Sequence, residues 1–496
     1  MSTPGFSSIL KLTELDDFIA PSQECIKPAQ PLKPTPQPSA AKVRIELEDV
    51  SIGGVVPQVP QKVEINLTDC LACSGCITSA ESILISQQSP EELVRILEKN
   101  KNSKQAKVDN NFLAIVTLGT QAVISLARKY LVPPQEMAER LAARKYLVPP
   151  QEMAERLAGF FKDLGADKVI TITLAEDLCL IESGKEFVEK LENINRDPTS
   201  LPIISGVCPG WVCYAEKLHP YAIKNISRVK SPQQIMGSLL KLVYGPRVNH
   251  SPDEIYHVSL MSCFDRKLEA SRKDFILEEY RSKEVDSVIT PLEIENLLES
   301  IGKHLLDYEP ANLDNPFEFG NGSLGIGASI MSHLGSGSGG FAEYIFRIMS
   351  AKHGIQADVT WIVGRNPDIS EAVIPTPTGD LKFSVATGFR NIQTIVRKLK
   401  TKMRANLPHY IEIMACPTGC LNGGAQLRSQ DSEQGGRELS CDLEKMYHEL
   451  PAEILQDNPF VEQIYNLLGN PDGKLYNDVL YTDFHAIEKS NLGIKW

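Results

Sequence analysis

The chain has 496 residues, 42% of them hydrophobic and 23% charged, with a formal net charge of −12. That length buries a sizeable core and suits two or three domains, while the acidic excess argues against general binding to phosphate backbones. No apolar run approaches the ~18–20 residues that span a bilayer, and the start, MSTPGFSSILKL, lacks the cationic and apolar stretches of a signal peptide, so a cytosolic address with no nucleic-acid or membrane partner is expected.

LTELDDFIAPSQEC (12–25) reads as a short acidic amphipathic segment ending on an isolated cysteine, Cys25. Residues 28–38, PAQPLKPTPQP, are too proline-rich for helix or central strand and are expected to form an extended linker. Two strand candidates, VRIELEDV (43–50) and KVEINL (62–67), lead into DCLACSGC, where Cys70, Cys73 and Cys76 follow a C-x2-C-x2-C spacing. Two-residue spacing in a tight loop lets successive sulfurs face one centre. A four-iron cubane needs four such thiolates, and Cys25 stands upstream as the fourth. Zinc more often uses paired C-x2-C knuckles, and the sequence here offers no second knuckle or neighbouring histidine. SPEELVRILEK (89–99), opened by Ser89 and a glutamate pair, is expected as a capped helix. Residues 1–105 are therefore expected to form a small metal-stapled domain.

From Phe112 onward, apolar strand-like runs alternate with amphipathic helical stretches. FLAIVTL (112–118), KVITITL (168–174), LPIISGV (201–207), IYHVSLM (255–261) and YIEIMA (410–415) are the strand candidates; SPQQIMGSLLKLVY (231–244) and GFAEYIFRIMSAKH (340–353) are helical. Such alternation predicts parallel sheets with helices on both faces. Residues 127–142, ARKYLVPPQEMAERLA, recur unchanged at 143–158. Identical copies point to a recent duplication or a gene-model error, not a solenoid of diverged units, and Pro133–Pro134 and Pro149–Pro150 break any continuous helix. An extra surface helix–turn without function is expected. RSQDSEQGGRELS (428–440) is expected to be a loop.

Cys208 (SGVCPGW), Cys263 (MSCFDRKLE), Cys416 and Cys420 (MACPTGC) form a second set of four. Three of them come at or just after the end of a strand candidate, where open α/β sheets place ligands. The two sets take eight of the eleven cysteines, leaving Cys179, Cys213 and Cys441 as small buried hydrophobes. An odd count in a chain of this length argues against a disulfide framework. GSGSGG (335–340) lacks the lysine of a phosphate-binding loop, so a turn against the cluster pocket is expected.

SGVCPGW, SPQQIMG, MSCFDRKLEAS, GSGSGGFAEYIFR, VATGFRNI and IMACPTGCLNGGAQ resemble, in order, the active-site segments of iron-only hydrogenases. With LTELDDFIAPSQEC near the start and GIKW at the end, the chain resembles more closely the hydrogenase-like (Narf-like) assembly factors of the cytosolic iron–sulfur pathway, over essentially its whole length except the duplicated segment. The resemblance implies an α/β fold: an iron-only hydrogenase-like large domain of two parallel-sheet lobes, 106–250 and 251–480, preceded by a small ferredoxin-like N-terminal domain and followed by a tail, 481–496. It implies two [4Fe–4S] clusters, one on Cys25, Cys70, Cys73 and Cys76, the other on Cys208, Cys263, Cys416 and Cys420. Gly419, Gly423 and Gly424 would permit close approach of the backbone to the inner core.

The departures from the hydrogenases bear on activity. The hydrogenases carry a proton-relaying cysteine just before the CPGW cysteine; here the position is Val207, which neither donates nor accepts a proton. Arg266 matches a lysine that partners the cyanide of their two-iron subsite. Ser262 and Phe264 replace a proline and a threonine, and Ala425 a glycine. Phe264 is expected to fill space that a second metal unit needs, so hydrogen turnover is not expected.

Ile494, Lys495 and Trp496 offer an apolar anchor beside a carboxylate, suited to a partner pocket. The resemblance implies docking of this tail on the late targeting complex, with the early cluster scaffold as the other partner. The alternatives are an iron-only hydrogenase or redox relative and a nuclear prelamin-tail-binding paralogue. The GIKW ending favours the assembly branch, with a cytoplasmic location and room for a nuclear pool.

Overall fold

The computed structural model describes residue 85 and residues 87–487, apart from 107–111, 132–147, 198, 318–328, 356–358, 378, 402–403, 405, 429–435 and 453–457. Cys25, Cys70, Cys73 and Cys76, the linker 28–38, the strand candidates at 43–50 and 62–67, and Ile494–Trp496 all lie outside the described residues.

Helix α1 (Pro90–Gln105) starts as its sequence dictates. The Ser89 hydroxyl accepts from the Glu92 amide at 3.3 Å, Pro90 fills the first turn, and Glu91 and Glu92 sit where the helix dipole favours acids. The helix does not close an N-terminal domain at 105. Leu93 and Leu97, one turn apart, are buried in the same apolar cluster as Val116 and Val258 of the large unit. Ahead of the helix, the Gln88 amide donates to the Lys267 carbonyl at 3.0 Å, and its oxygen accepts from the Val288 amide at 3.0 Å. The compact unit accordingly begins at Leu84.

The chain continues through β1 (Leu113–Leu118), α2 (Thr120–Leu131), α3 (Pro150–Leu164), β2 (Lys168–Thr171), α4 (Thr173–Glu192), β3 (Ile203–Ile204), α5 (Pro209–Leu218), β4 (Ile255–Leu260), α6 (Asp265–Ala270) and β5 (Ser287–Ile289). There follow α7 (Phe341–Lys352), β6 (Ile362–Val363), β7 (Ile369–Ile374), β8 (Leu381–Thr387), α8 (Phe389–Lys400), β9 (Tyr410–Met414), α9 (Gly436–His448), α10 (Pro459–Leu468) and α11 (Lys474–Leu480). The expected α/β architecture with parallel strand pairing is present. One sheet, in the order β2-β1-β4-β5, is wholly parallel, with Val116 opposite both Val169 and Val258. The second runs β3-β9-β8-β7-β6; β3, β9 and β8 are parallel, and β7 and β6 extend the edge antiparallel. Strands covered on both faces read as largely apolar runs; all five residues of β9 are buried, Glu412 among them. The sheets do not divide at residue 250. β4 and β5 join the first sheet, while β3 crosses to the second, because parallel pairing needs long crossovers and so interleaves the two halves.

Three local expectations change. The strand in KVITITL stops at Thr171, and Thr173 already begins α4. In LPIISGV only Ile203–Ile204 pairs. The end of the insert expected as a loop opens α9, whose Leu439 and Leu443 are spaced to be buried on one face. The repeat spans two helices. Helix α2 ends on the ARKYL of the first copy, and α3 carries the PQEMAERLA of the second, with Met153, Ala154, Leu157 and Ala158 buried. Joining residue 131 directly to 148 would restore one intact copy, so the surplus is 132–147, which lies outside the described residues.

Candidate metal centre

Three parallel strands deliver the four cysteines of the second set. β3 leads through Ser205–Val207 to Cys208, which immediately precedes α5; β4 leads through Met261 and Ser262 to Cys263, ahead of α6; β9 ends two residues before Cys416. β3 and β9 are neighbours in one sheet and β4 belongs to the other, so the cysteines gather where the carboxyl ends of both sheets meet. Between Cys416 and Cys420 the chain turns through Thr418 at φ 62° and Gly419 at φ 102°. Left-handed backbone strains a β-branched residue. Here the Thr418 hydroxyl is tied to Ser440 Oγ at 2.7 Å, and the Gly419 amide donates to the Cys416 carbonyl at 3.2 Å.

Cys208, Cys263, Cys416 and Cys420 all line one cavity of about 80 Å³. That is several times the ~10–15 Å³ that admits one water. Val207, Ser262, Asp265, Arg266, Ser338 and Glu412 share the wall. Phe264 is not among the lining residues, while its neighbours Asp265 and Arg266 are. The thiols are half-buried because they face the cavity, yet they lie deep in the protein, and burial is the main cause raising the pKa of each. Cys420 is pushed up to about 12 by burial and by Cys208, with Arg266 pulling the other way. Cys416 is raised further by Cys263, Cys420 and Cys208, the three thiols that share its cavity.

Metals bind thiolates, so loading such a site releases protons and concentrates negative charge. Arg266, paired to Glu269 at 2.8 Å, is the cation on the wall that offsets it. Among the described residues no three His, Cys, Asp or Glu side chains close on a single metal ion. A cubane makes a different demand, since each of its four thiolates ligates a separate iron at a separate corner. Four thiols around a roomy cavity, with a half-buried guanidinium beside them, fit an iron–sulfur core of that kind.

The glycines behave differently from expectation. A Cβ on Gly419 would stand 2.4 Å from Ser338 Oγ, and one on Gly423 would stand 2.4 Å from the Ser262 carbonyl oxygen, whereas Gly424 faces open space. Gly419 and Gly423 are therefore demanded by the packing of protein against protein. GSGSGG does form the expected turn: Gly335 and Gly340 are left-handed, and Ser336, Gly337, Ser338 and Gly339 line the cavity. Of the remaining cysteines, Cys179 is buried, with its thiol donating to the Lys230 carbonyl at 3.2 Å, and Cys213 is half-buried. Cys441 is exposed, correcting its assignment as a buried hydrophobe: it falls on the outer side of α9, away from Leu439 and Leu443.

Glu412 was missed from sequence. It sits within the fully buried β9, accepts from the Ala342 amide at 2.8 Å, and so caps α7. Burial raises its pKa to about 7 against the pull of the Gly340, Phe341 and Ala342 amides. A carboxylate inside an otherwise apolar strand was the available signal, because buried charges need dedicated partners. His333 also reaches the wall, hydrogen-bonded to Asp177, and no spacing rule singles it out.

Residues 137–424 match the family described as iron only hydrogenase large subunit, C-terminal domain. A probable cytosolic Fe–S cluster assembly factor of Anopheles gambiae is 43% identical over 505 residues, covering 99% of each chain. Cytosolic iron-sulfur assembly component 3 of Mus musculus is 41% identical over 515 residues, covering 100% of each. An [FeFe]-hydrogenase of Chlamydomonas reinhardtii superposes with a TM-score of 0.65 at 22% identity over 80% of this chain and 98% of that one, a likeness of fold. The chain belongs to the iron-only hydrogenase-like family of cytosolic Fe–S cluster assembly factors.

Proposed function

We propose that this protein is a non-enzymatic component of cytosolic iron–sulfur protein assembly, carrying two [4Fe–4S] clusters and linking the early scaffold to the late targeting complex. The observation that carries the reading is the gathering of Cys208, Cys263, Cys416 and Cys420 on one cavity beside Arg266, with Val207 on the same wall. The valine side chain offers no proton donor or acceptor where the hydrogenases hold a thiol. When bound, an iron–sulfur core would supply exchangeable and redox-active iron. The four thiols would hold it, Arg266 would balance its charge, and the flanking sheets would exclude water. Cys25, Cys70, Cys73 and Cys76 are proposed as the outer ligand set, and Ile494, Lys495 and Trp496 as the partner-docking tail.

Anaerobic purification with iron and sulfide counting and EPR tests this. About eight irons per chain are expected for two cubanes. Serine at Cys73 and at Cys416, separately, should each remove roughly half; a chain holding only zinc would overturn the reading. Air should bleach the outer cluster first. Hydrogen evolution from a reduced dye should be absent, and measurable turnover would favour a hydrogenase instead.

A further inference from the structure

Resting on that reading, we propose that occupancy of the cysteine cavity orders the strap Tyr481–Ile487 and that the ordered strap in turn slows loss of the inner core. The strap's upstream end is fixed on α4. Tyr481, Tyr465 and Tyr476 all donate to the buried Glu182, the latter two at 2.6 and 2.9 Å, and the Thr482 amide donates to the Arg228 carbonyl at 2.8 Å. Its downstream end lies across α5 and α6, the two short helices that begin beside Cys208 and Cys263.

One side chain organises that crossing. Glu216, near the end of α5 and 4% exposed, takes both Arg272 nitrogens at 2.6 and 2.7 Å, and Arg272 follows the end of α6. Glu216 Oε1 also accepts from the His485 amide at 3.0 Å, and its carbonyl accepts from the Ile487 amide at 3.1 Å. The Phe484 ring packs with Cys208 against the cluster around Trp211, lies under the Arg272 guanidinium at 5.6 Å, and comes within 3.1 Å of where a Cβ on Gly206 would stand. His485 Nδ1 lies 3.4 Å from Asp274 Oδ1, on the α6 side. The strap thus needs α5 and α6 in one relative position. Glu216 and Arg272 join their far ends, and a core bonded to Cys208 and Cys263 would join their near ends. With both ends joined, loading tightens the strap, and the seated strap slows loss of the core in return.

Hydrogen–deuterium exchange on the full chain tests this in a Cys73→Ser background, so that iron and sulfide counts report the inner site alone. The chain is compared unloaded and after anaerobic reconstitution with ferrous iron and sulfide. Amides of 482–487 should exchange at least about fivefold more slowly when loaded, with those of β1 unchanged. Phe484→Ala should abolish that difference and speed chelator removal of inner-site iron by a similar factor. If that variant fails to fold, Glu216→Gln keeps the side-chain shape, weakens the Arg272 pair, and should act in the same direction. Equal strap exchange at verified occupancies, or a change spread over β1 as well, overturns the coupling and leaves the cluster assignment standing. A chain that takes up no inner iron overturns both.

Discussion

Glu412 shows how a single buried group ties the cavity to pH. Its carboxyl holds a proton up to about pH 7 in the folded chain, against an ordinary value of 4.5, because burial outweighs the helix amides that hold it down. A group whose folded pKa is raised stabilises the fold fully below its unfolded pKa, and that contribution is lost as pH rises through the folded one. The loss amounts to at most roughly 3 kcal/mol. Urea unfolding of the unloaded chain should therefore show stability falling between about pH 5 and pH 8, and Glu412→Gln should flatten the fall. An unchanged slope in the variant would contradict the assignment. Thiol chemistry gives a second test. Iodoacetamide at neutral pH should label exposed Cys441 well before Cys416 or Cys420, whose thiols burial keeps protonated. Loading yield should rise with pH, because binding releases protons.

Within elements, the Cys416–Cys420 turn and the repeat make opposite predictions. At Gly419 the backbone is left-handed and a Cβ would strike Ser338 Oγ, so Gly419→Ala should cost about 1–3 kcal/mol in denaturant unfolding and reduce inner-site iron. Deleting 132–147 should leave the melting temperature within a few degrees, because α2 and α3 then join through one intact copy. A collapse in stability would show that the extra unit packs into the core. β1, β4 and β9 were legible from sequence because strands buried on both faces leave short, mostly apolar runs. β5, with three residues, and the β7–β8 hairpin were not, since one is too short for a period and the other has an exposed face along β7.

At the scale of the molecule, the fold is one that hydrogenases also use, so the fold by itself assigns no function. The convergence of Cys208, Cys263, Cys416 and Cys420 could be anticipated through family resemblance, because the three strands that carry them are far apart in sequence and sit in two sheets. The interleaving of β3 with β9 was not legible, since crossover pairing leaves no local pattern. Nor were the supporting contacts of Arg266 with Glu269, or of Glu412 with the start of α7, which arise only on folding. Anomalous diffraction at the iron edge, on crystals of the anaerobically loaded chain, tests the central claim most directly. The expected result is one four-iron core in the cavity, each iron bonded to one of the four sulfurs, with no further iron in that cavity. An additional two-iron unit beside Cys420, or a cavity whose four sulfurs share no common core, would contradict it.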